Sequence, residues 1–311
     1  MKQMEFKSPI QHIENNIWIK RDDLIPFSFG GNKARKARLF FKDFDEGDYD
    51  CVVTYGSSSS NHCRIIANIA ASRRIKCVIV SPEEERKTTY NSQLINMFGA
   101  DVKYVPLNTV HNYIKESLDE LQKAGNKPYF IQGGGHGKFG TQAYAECYEE
   151  IKDYEKTHNI FFDYIFFASG TGTTQAGLVS GQLLNKDYSR KIIGISIARK
   201  NPRGRSIVID SIKEFLGEDF SIDLIEEKTF FIDSYVGEGY GKQNQLIDNE
   251  IENAMKKHGI PLDQTYTGKA FYGMRQYIKE NKIENKKILF IHTGGTPLFF
   301  DFLKAKRSNY D

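Results

Sequence analysis

The sequence predicts an α/β protein of two three-layer α/β/α domains with mainly parallel sheets. Short apolar runs alternate with amphipathic helical stretches along nearly the whole chain, the order that builds βαβ units. The runs are apolar throughout rather than every second residue, so helices cover both faces of each sheet. The series occurs twice. Residues 1–35 with 148–311 are expected to form the larger domain, and 36–147 a smaller one inserted in it. Crossovers should be right-handed.

The elements follow in order. Ile17–Lys20 is a short strand, and Arg21-Asp22-Asp23-Leu24 leads into a Pro/Phe/Gly loop and a helix from Asn32. Cys51–Tyr55 is a strand; Gly56-Ser57-Ser58-Ser59-Ser60-Asn61 then opens a helix through Ile65, Ile66, Ile69 and Ala70. Strands at 77–80, 102–105 and 129–131 alternate with helices around Gln93, over 113–123 and through Tyr144 and Tyr148. Ile114, Leu118 and Leu121 keep helical spacing. The second half repeats this with strands at 164–167, 192–197 and 287–291, a less regular stretch from Phe230, and helices near 244–257, 268–280 and after Thr296.

Composition excludes several classes. With 43 basic and 40 acidic residues interspersed and a net charge of +3, there is no basic block for nucleic acid. No apolar run approaches the ~20 residues of a membrane span, and Met1–Lys7 has no apolar signal region. The four cysteines form no C-x-x-C pair, which fits buried thiols in a reducing compartment and an expectation of the cytoplasm. The histidines show no metal-ligand spacing, so no catalytic metal is expected. No G-x-S-x-G elbow marks a serine hydrolase.

Ligands of open parallel sheets bind beyond the carboxyl ends of strands. Strands ending at Tyr55, Ile131, Phe167 and Ile291 all run into small-residue loops, which together point to a preformed small-molecule site. Gly30-Gly31 permits positive φ and close approach. Asn32 is a good helix N-cap, so Lys33 falls in the first helical turn, near Arg35 and Lys36. A cation is disfavoured there, which favours the neutral, nucleophilic amine; the alternative is a surface lysine in a basic helix. Ser169–Gly177 combines glycines, hydroxyls and a helix start, which suits a phosphate, or is simply a tight strand-to-helix turn. It matches neither a Walker loop nor a dinucleotide fingerprint. Ser57–Asn61 suits a carboxylate, or is a solvated cap. His62 alone reads more readily as a packing histidine than a ligand.

Taken together, Lys20-Arg21-Asp22-Asp23-Leu24, Gly30–Lys36, Ser60-Asn61-His62, Ser169–Gly177, Gly239-Tyr240-Gly241, Tyr266–Ala270 and His292–Gly295 resemble fold-type-II pyridoxal-phosphate enzymes of the tryptophan-synthase-β type. The chain is most similar to the D-cysteine desulfhydrase and 1-aminocyclopropane-1-carboxylate deaminase family. The resemblance implies a pyridoxal 5'-phosphate cofactor in a cleft between the domains and a small amino-acid substrate. It implies a homodimer without nucleic-acid or membrane partners.

It also implies roles. Lys33 would carry the cofactor covalently and act as base at Cα. Asn61 would bond the phenolic oxygen, and Thr171, Gly172, Thr173 and Thr174 the phosphate, with Lys36 nearby. Ser60 would bind the substrate carboxylate or act as nucleophile, with Asn61 and His62 also on the substrate. Tyr240 and Tyr266 would flank the reacting carbons. Thr293 or Thr267 would face the ring nitrogen. In the deaminase branch glutamate stands where this chain has Thr267, and glutamine where it has His62. A neutral hydroxyl partner makes the ring a weaker electron sink, so both departures point to β-elimination rather than cyclopropane opening. Other readings within the family are cyclopropane-acid deamination, sulfo-elimination and β-replacement. Outside it stands a non-catalytic phosphate-binding protein.

Overall fold

The computed structural model describes residues 6–237, 239 and 244–307. Along the chain run β1 (Ile10–Glu14), β2 (Ile17–Lys20), α1 (Asn32–Glu46), β3 (Cys51–Tyr55), α2 (Asn61–Arg73), β4 (Lys76–Pro82), α3 (Tyr90–Met97), β5 (Asp101–Val105), α4 (Val110–Lys123), β6 (Pro128–Ile131) and α5 (Lys138–His158). They continue with β7 (Tyr164–Ser169), α6 (Thr173–Leu184), β8 (Lys191–Ser196), α7 (Arg203–Leu216), α8 (Ile222–Lys228), β9 (Phe230–Ile232), α9 (Gln245–His258), α10 (Thr267–Glu280), β10 (Ile288–Ile291) and α11 (Thr296–Arg307). The fold is mixed α/β with mainly parallel sheets. Two units emerge, Met1–Asn32 with Gly140–Asp311, and Lys33–Phe139. The boundaries expected at 35 and 147 fall inside α1 and α5.

The first unit holds a sheet of order β1-β2-β10-β7-β8-β9. Every pairing is parallel except the β1–β2 hairpin at one edge. Its strands obey the two-residue period, but both faces are apolar. Ile165, Phe167, Ile192, Leu289 and Ile291 enter a core with α5, α6 and α7. Phe166, Ile193, Ile195, Ile288 and Phe290 enter another with α9, α10 and α11. Each such side chain contributes about 1.5–3 kcal/mol on burial. Helix α6 packs backbone-close on α5: a Cβ at Gly177 would lie 2.2 Å from the Thr141 carbonyl oxygen, so only glycine fits.

The second unit holds a parallel sheet of order β5-β4-β3-β6. Cys51, Val53, Val78 and Val80 pack on α4 through Leu121 and Ile114. On the opposite face, Tyr129 meets Phe44 of α1, and Thr54 meets His62 of α2. Among the described residues no helix is long and apolar enough to cross a membrane.

The hairpin strand β1 and the helices α7 and α8 go beyond the sequence reading. β1 is an edge strand of mixed exposure, and an apolar-run search passes over such a strand. α7 opens behind Asn201-Pro202-Arg203-Gly204, which reads as a turn.

Candidate active site

In each sheet the strand order reverses once, and the loops that flank the reversal are those the sequence marks. In the first unit β7 leads outward to β8 and β9, while β10 lies on its other side. Ligands bind at such switch points. After β7, Gly172 (φ +101°) precedes α6, whose first residues are Thr173 and Thr174, both buried. The first turn of a helix directs N–H groups outward with no partner inside the helix. With the threonine hydroxyls they make a donor set suited to a phosphate. After β10, His292 accepts from the Gly294 N–H at Nδ1 (3.2 Å) and faces the Pro261 carbonyl at 2.9 Å with Nε2.

Residues 22–32 join these loops. Gly31 donates to the Asp22 carbonyl at 2.7 Å, and the Asn32 N–H donates to the Thr293 carbonyl at 3.0 Å. The Asn32 amide donates to Thr174 Oγ1 at 3.2 Å. Asn32 therefore binds both switch-point loops, where the sequence marks it only as a cap. The Asp22 carboxylate beneath accepts from Ser8 (2.6 Å) and Tyr144 (2.7 Å).

Asp263 organises the third corner of this unit. Its carboxylate accepts from the N–H groups of Thr265, Tyr266 and Thr267 and from the Thr267 hydroxyl at 2.7 Å. It thereby caps α10. Burial raises its pKa above the ordinary carboxylate value, against those donors. Thr267 Oγ1 also accepts from the Asp263 N–H, so its only proton is committed to Asp263. Thr293 is 7% exposed. Tyr266 stands partly exposed at the start of α10. Tyr240 lies outside the described residues.

In the second unit the order reverses between β3 and β6, and Lys33 sits there. Its Nζ donates to the Gly134 carbonyl in the loop after β6 at 2.8 Å. Loss of hydration lowers its pKa from 10.5 to about 8, although part of the side chain remains open. Lys36, one turn on, is buried; desolvation and the charge of Lys33 hold its pKa well below normal.

The loop after β3 carries the remaining candidates. Ser60 caps α2, its Oγ accepting from the Cys63 N–H at 3.1 Å. Asn61 Oδ1 accepts from Arg64 (2.7 Å) and from the Asn91 amide (3.0 Å). With Oδ1 so occupied, the Asn61 Nδ2 hydrogens are the ones offered to a ligand oxygen. Arg64 also donates to Asn91 Oδ1 at 2.8 Å, so the amide orientation is held from two sides. His62 is 2% exposed, with Nε2 2.9 Å from Thr54 Oγ1. Thr54 gives its own proton to the Ile131 carbonyl, so His62 Nε2 donates. Desolvation, then the charges of Lys33 and Lys36, hold its pKa well below normal. It is a neutral, packed histidine tied to β3.

Sequence reasoning missed Arg64, Asn91, Asp263 and the buried Lys269. Asn91 and Lys269 act through partners that only the fold brings near; Arg64 and Asp263 bond Asn61 and Thr267 within four residues, but that spacing alone marks no supporting role.

A family model described as pyridoxal-phosphate dependent enzyme matches residues 3–294. The chain is 31% identical over 301 residues to the D-cysteine desulfhydrase of Serratia proteamaculans, covering 94% of this chain and 90% of that protein. It is 33% identical over 300 residues to the D-cysteine desulfhydrase of Yersinia pestis, with the same coverage, 94% and 90%. A crystal structure of an ACC deaminase homologue superposes with a TM-score of 0.85 at 31% identity, covering 98% of this chain and 94% of that one.

Proposed function

The chain belongs to the pyridoxal-phosphate dependent enzymes, and from that premise we propose that it is a lyase acting on a small amino acid as D-cysteine desulfhydrase does. One water is consumed; the β-thiol leaves as sulfide, and the remainder as ammonia and a 2-oxo acid. The observation that carries this reading is Lys33, second residue of α1 past the Gly30-Gly31 turn, its Nζ 2.8 Å from the Gly134 carbonyl and its pKa lowered by burial to about 8. The donor sets fit the cofactor: an anion cradle at Thr171–Thr174, an oriented amide at Asn61, and a hydroxyl at Thr293.

Bound pyridoxal phosphate supplies an electron-withdrawing ring that acidifies the Cα–H of an amino acid. Lys33 would hold the cofactor and be the base for the Cα proton. Asn61, its amide held by Arg64 and Asn91, would offer Nδ2–H to the phenolic oxygen. Thr171–Thr174 would hold the phosphate through N–H and hydroxyl donors, with Lys36 nearby. Because the Thr267 proton goes to Asp263, the reading favours Thr293 as the hydroxyl that would face the ring nitrogen. Ser60, Ser57 and Ser59 bind the substrate carboxylate; His62 sets the position of α2 beneath them. Tyr240 or Tyr266 gives the proton to the departing sulfur.

The deciding assay supplies D- and L-cysteine, cysteate and 1-aminocyclopropane-1-carboxylate to the cofactor-loaded protein. Sulfide and 2-oxo acid should appear in equal amounts from one cysteine enantiomer. Release of 2-oxo acid from the cyclopropane acid alone would assign the deaminase reaction instead, and a protein that stays colourless with added cofactor would remove the enzyme reading.

The lowered pKa of Lys33 makes a separate prediction. Only the neutral amine attacks an aldehyde. The rate at which apoprotein captures pyridoxal phosphate should therefore rise about tenfold per pH unit below 8 and level off above it, not near 10.5. Stopped-flow absorbance between pH 6 and 10 reads this directly, and a rise that continues past pH 9 would contradict it.

We further propose a cytoplasmic homodimer. All four cysteines are free and buried, as suits a reducing compartment; sedimentation at micromolar concentration measures the subunit number.

A further inference from the structure

Lys269 is the third residue of α10 and is 1% exposed. Both facts oppose a cation. The first turn of a helix carries positive partial charge, and burial strips an ammonium of water. Desolvation lowers its pKa, with the Asp263 carboxylate opposing. Compensation comes from the main chain. Nζ donates to the carbonyls of Gly239 (2.8 Å), Val236 (2.9 Å) and Ile197 (3.3 Å). An ammonium has three hydrogens, and backbone oxygens take all three.

These carbonyls come from separate stretches. Ile197 follows β8; Val236 and Gly239 belong to the segment after β9. Carbonyl dipoles turned toward one point repel one another unless a cation sits among them, and such a set replaces the water around K⁺ in selective pores. Tyr240 is the next residue after Gly239.

We propose that the Lys269 ammonium is a built-in monovalent cation that holds Val236 and Gly239, the latter directly before Tyr240 in the sequence, to the end of β8. Cutting the side chain back leaves a carbonyl cage that K⁺ or NH₄⁺ can fill. Lys269 is a positioning residue. Its effect on turnover rests on the lyase reading above; the cage itself does not.

Two variants test this. In Lys269→Ala apoprotein, hydrogen exchange at residues 233–239 should quicken about tenfold or more. Added K⁺ or NH₄⁺ should reverse this, while choline at equal ionic strength should not. In the loaded enzyme, kcat should fall about 10- to 100-fold with KM little changed, and return with the same two ions. Wild type should be indifferent to replacing K⁺ by choline. Lys269→Met fills the space without charge, so it should show the fast exchange with no ionic rescue. Unchanged exchange at 233–239 in a folded variant overturns the proposal, as does rescue by choline. Should Lys269→Ala not fold, Lys269→Met decides by exchange alone. Because the exchange arm uses apoprotein, it succeeds or fails independently of the reaction assigned.

Discussion

Lys33→Ala should abolish turnover. On the proposed reading the residue is both covalent anchor and base at Cα, and a positioned proton acceptor alone is worth about 10²–10⁴-fold. With both functions gone, activity should drop by more than about 10⁴-fold, and the visible band formed with pyridoxal phosphate should vanish. Melting temperature should change little, since the side chain is partly open and its Nζ donates to the Gly134 carbonyl of a loop. Borohydride reduction of the loaded wild type should leave the cofactor mass on Lys33 by peptide mass spectrometry. A mass found on another lysine, or an alanine variant retaining a per cent or more of activity, would refute the assignment.

Gly31→Ala should be nearly as damaging to activity and far worse for stability. Gly31 sits at φ +92°, and a Cβ there would stand 2.7 Å from the Thr293 carbonyl oxygen and 3.0 Å from Gly294 Cα. Backbone strain of this kind costs about 1–3 kcal/mol, and here neither neighbour is a flexible side-chain tip. A loss near 3 kcal/mol corresponds to roughly 6–12 °C of melting temperature for a unit of this size. Relief by moving the loop would break the bond from Asn32 to Thr293 and carry Lys33, the next residue, with it. We expect cofactor affinity to fall by at least about tenfold in equilibrium titration, alongside the lower melting temperature in calorimetry. A variant with wild-type melting and affinity would show that the turn is softer than its contacts indicate.

The fold was readable because its strands are buried on both sides. Runs such as Cys51–Tyr55 and Tyr164–Phe167 leave no doubt about their type once helices flank them. The edge strand β1 was not readable for the opposite reason: half of it faces outward. In the site, residue types that touch a ligand stand out as motifs, but those that support them do not. Asn91 bonds Asn61 across 30 positions of sequence, and no local pattern forecasts that. Thr267 shows the same limit. As a hydroxyl at a helix start it looks ready for a cofactor, yet its proton goes to Asp263 four residues earlier. His62 sits within a motif whose resemblance implies a substrate contact, but it spends its donor on the sheet.

The serine loop is fastened from behind. Ser58 Oγ donates to the Glu85 carbonyl and accepts from Lys87 N–H, Thr89 Oγ1 reaches the Ser58 carbonyl, and the Asn91 amide reaches that of Ser59. Residues 85–91 thus brace the loop through Ser58 and the backbone of Ser58 and Ser59. If the serine loop binds the substrate as proposed, anyone evolving this catalyst toward a bulkier or differently charged amino acid has a library at 85–89, where changes would retune substrate choice and leave Asn61 with its Asn91 partner.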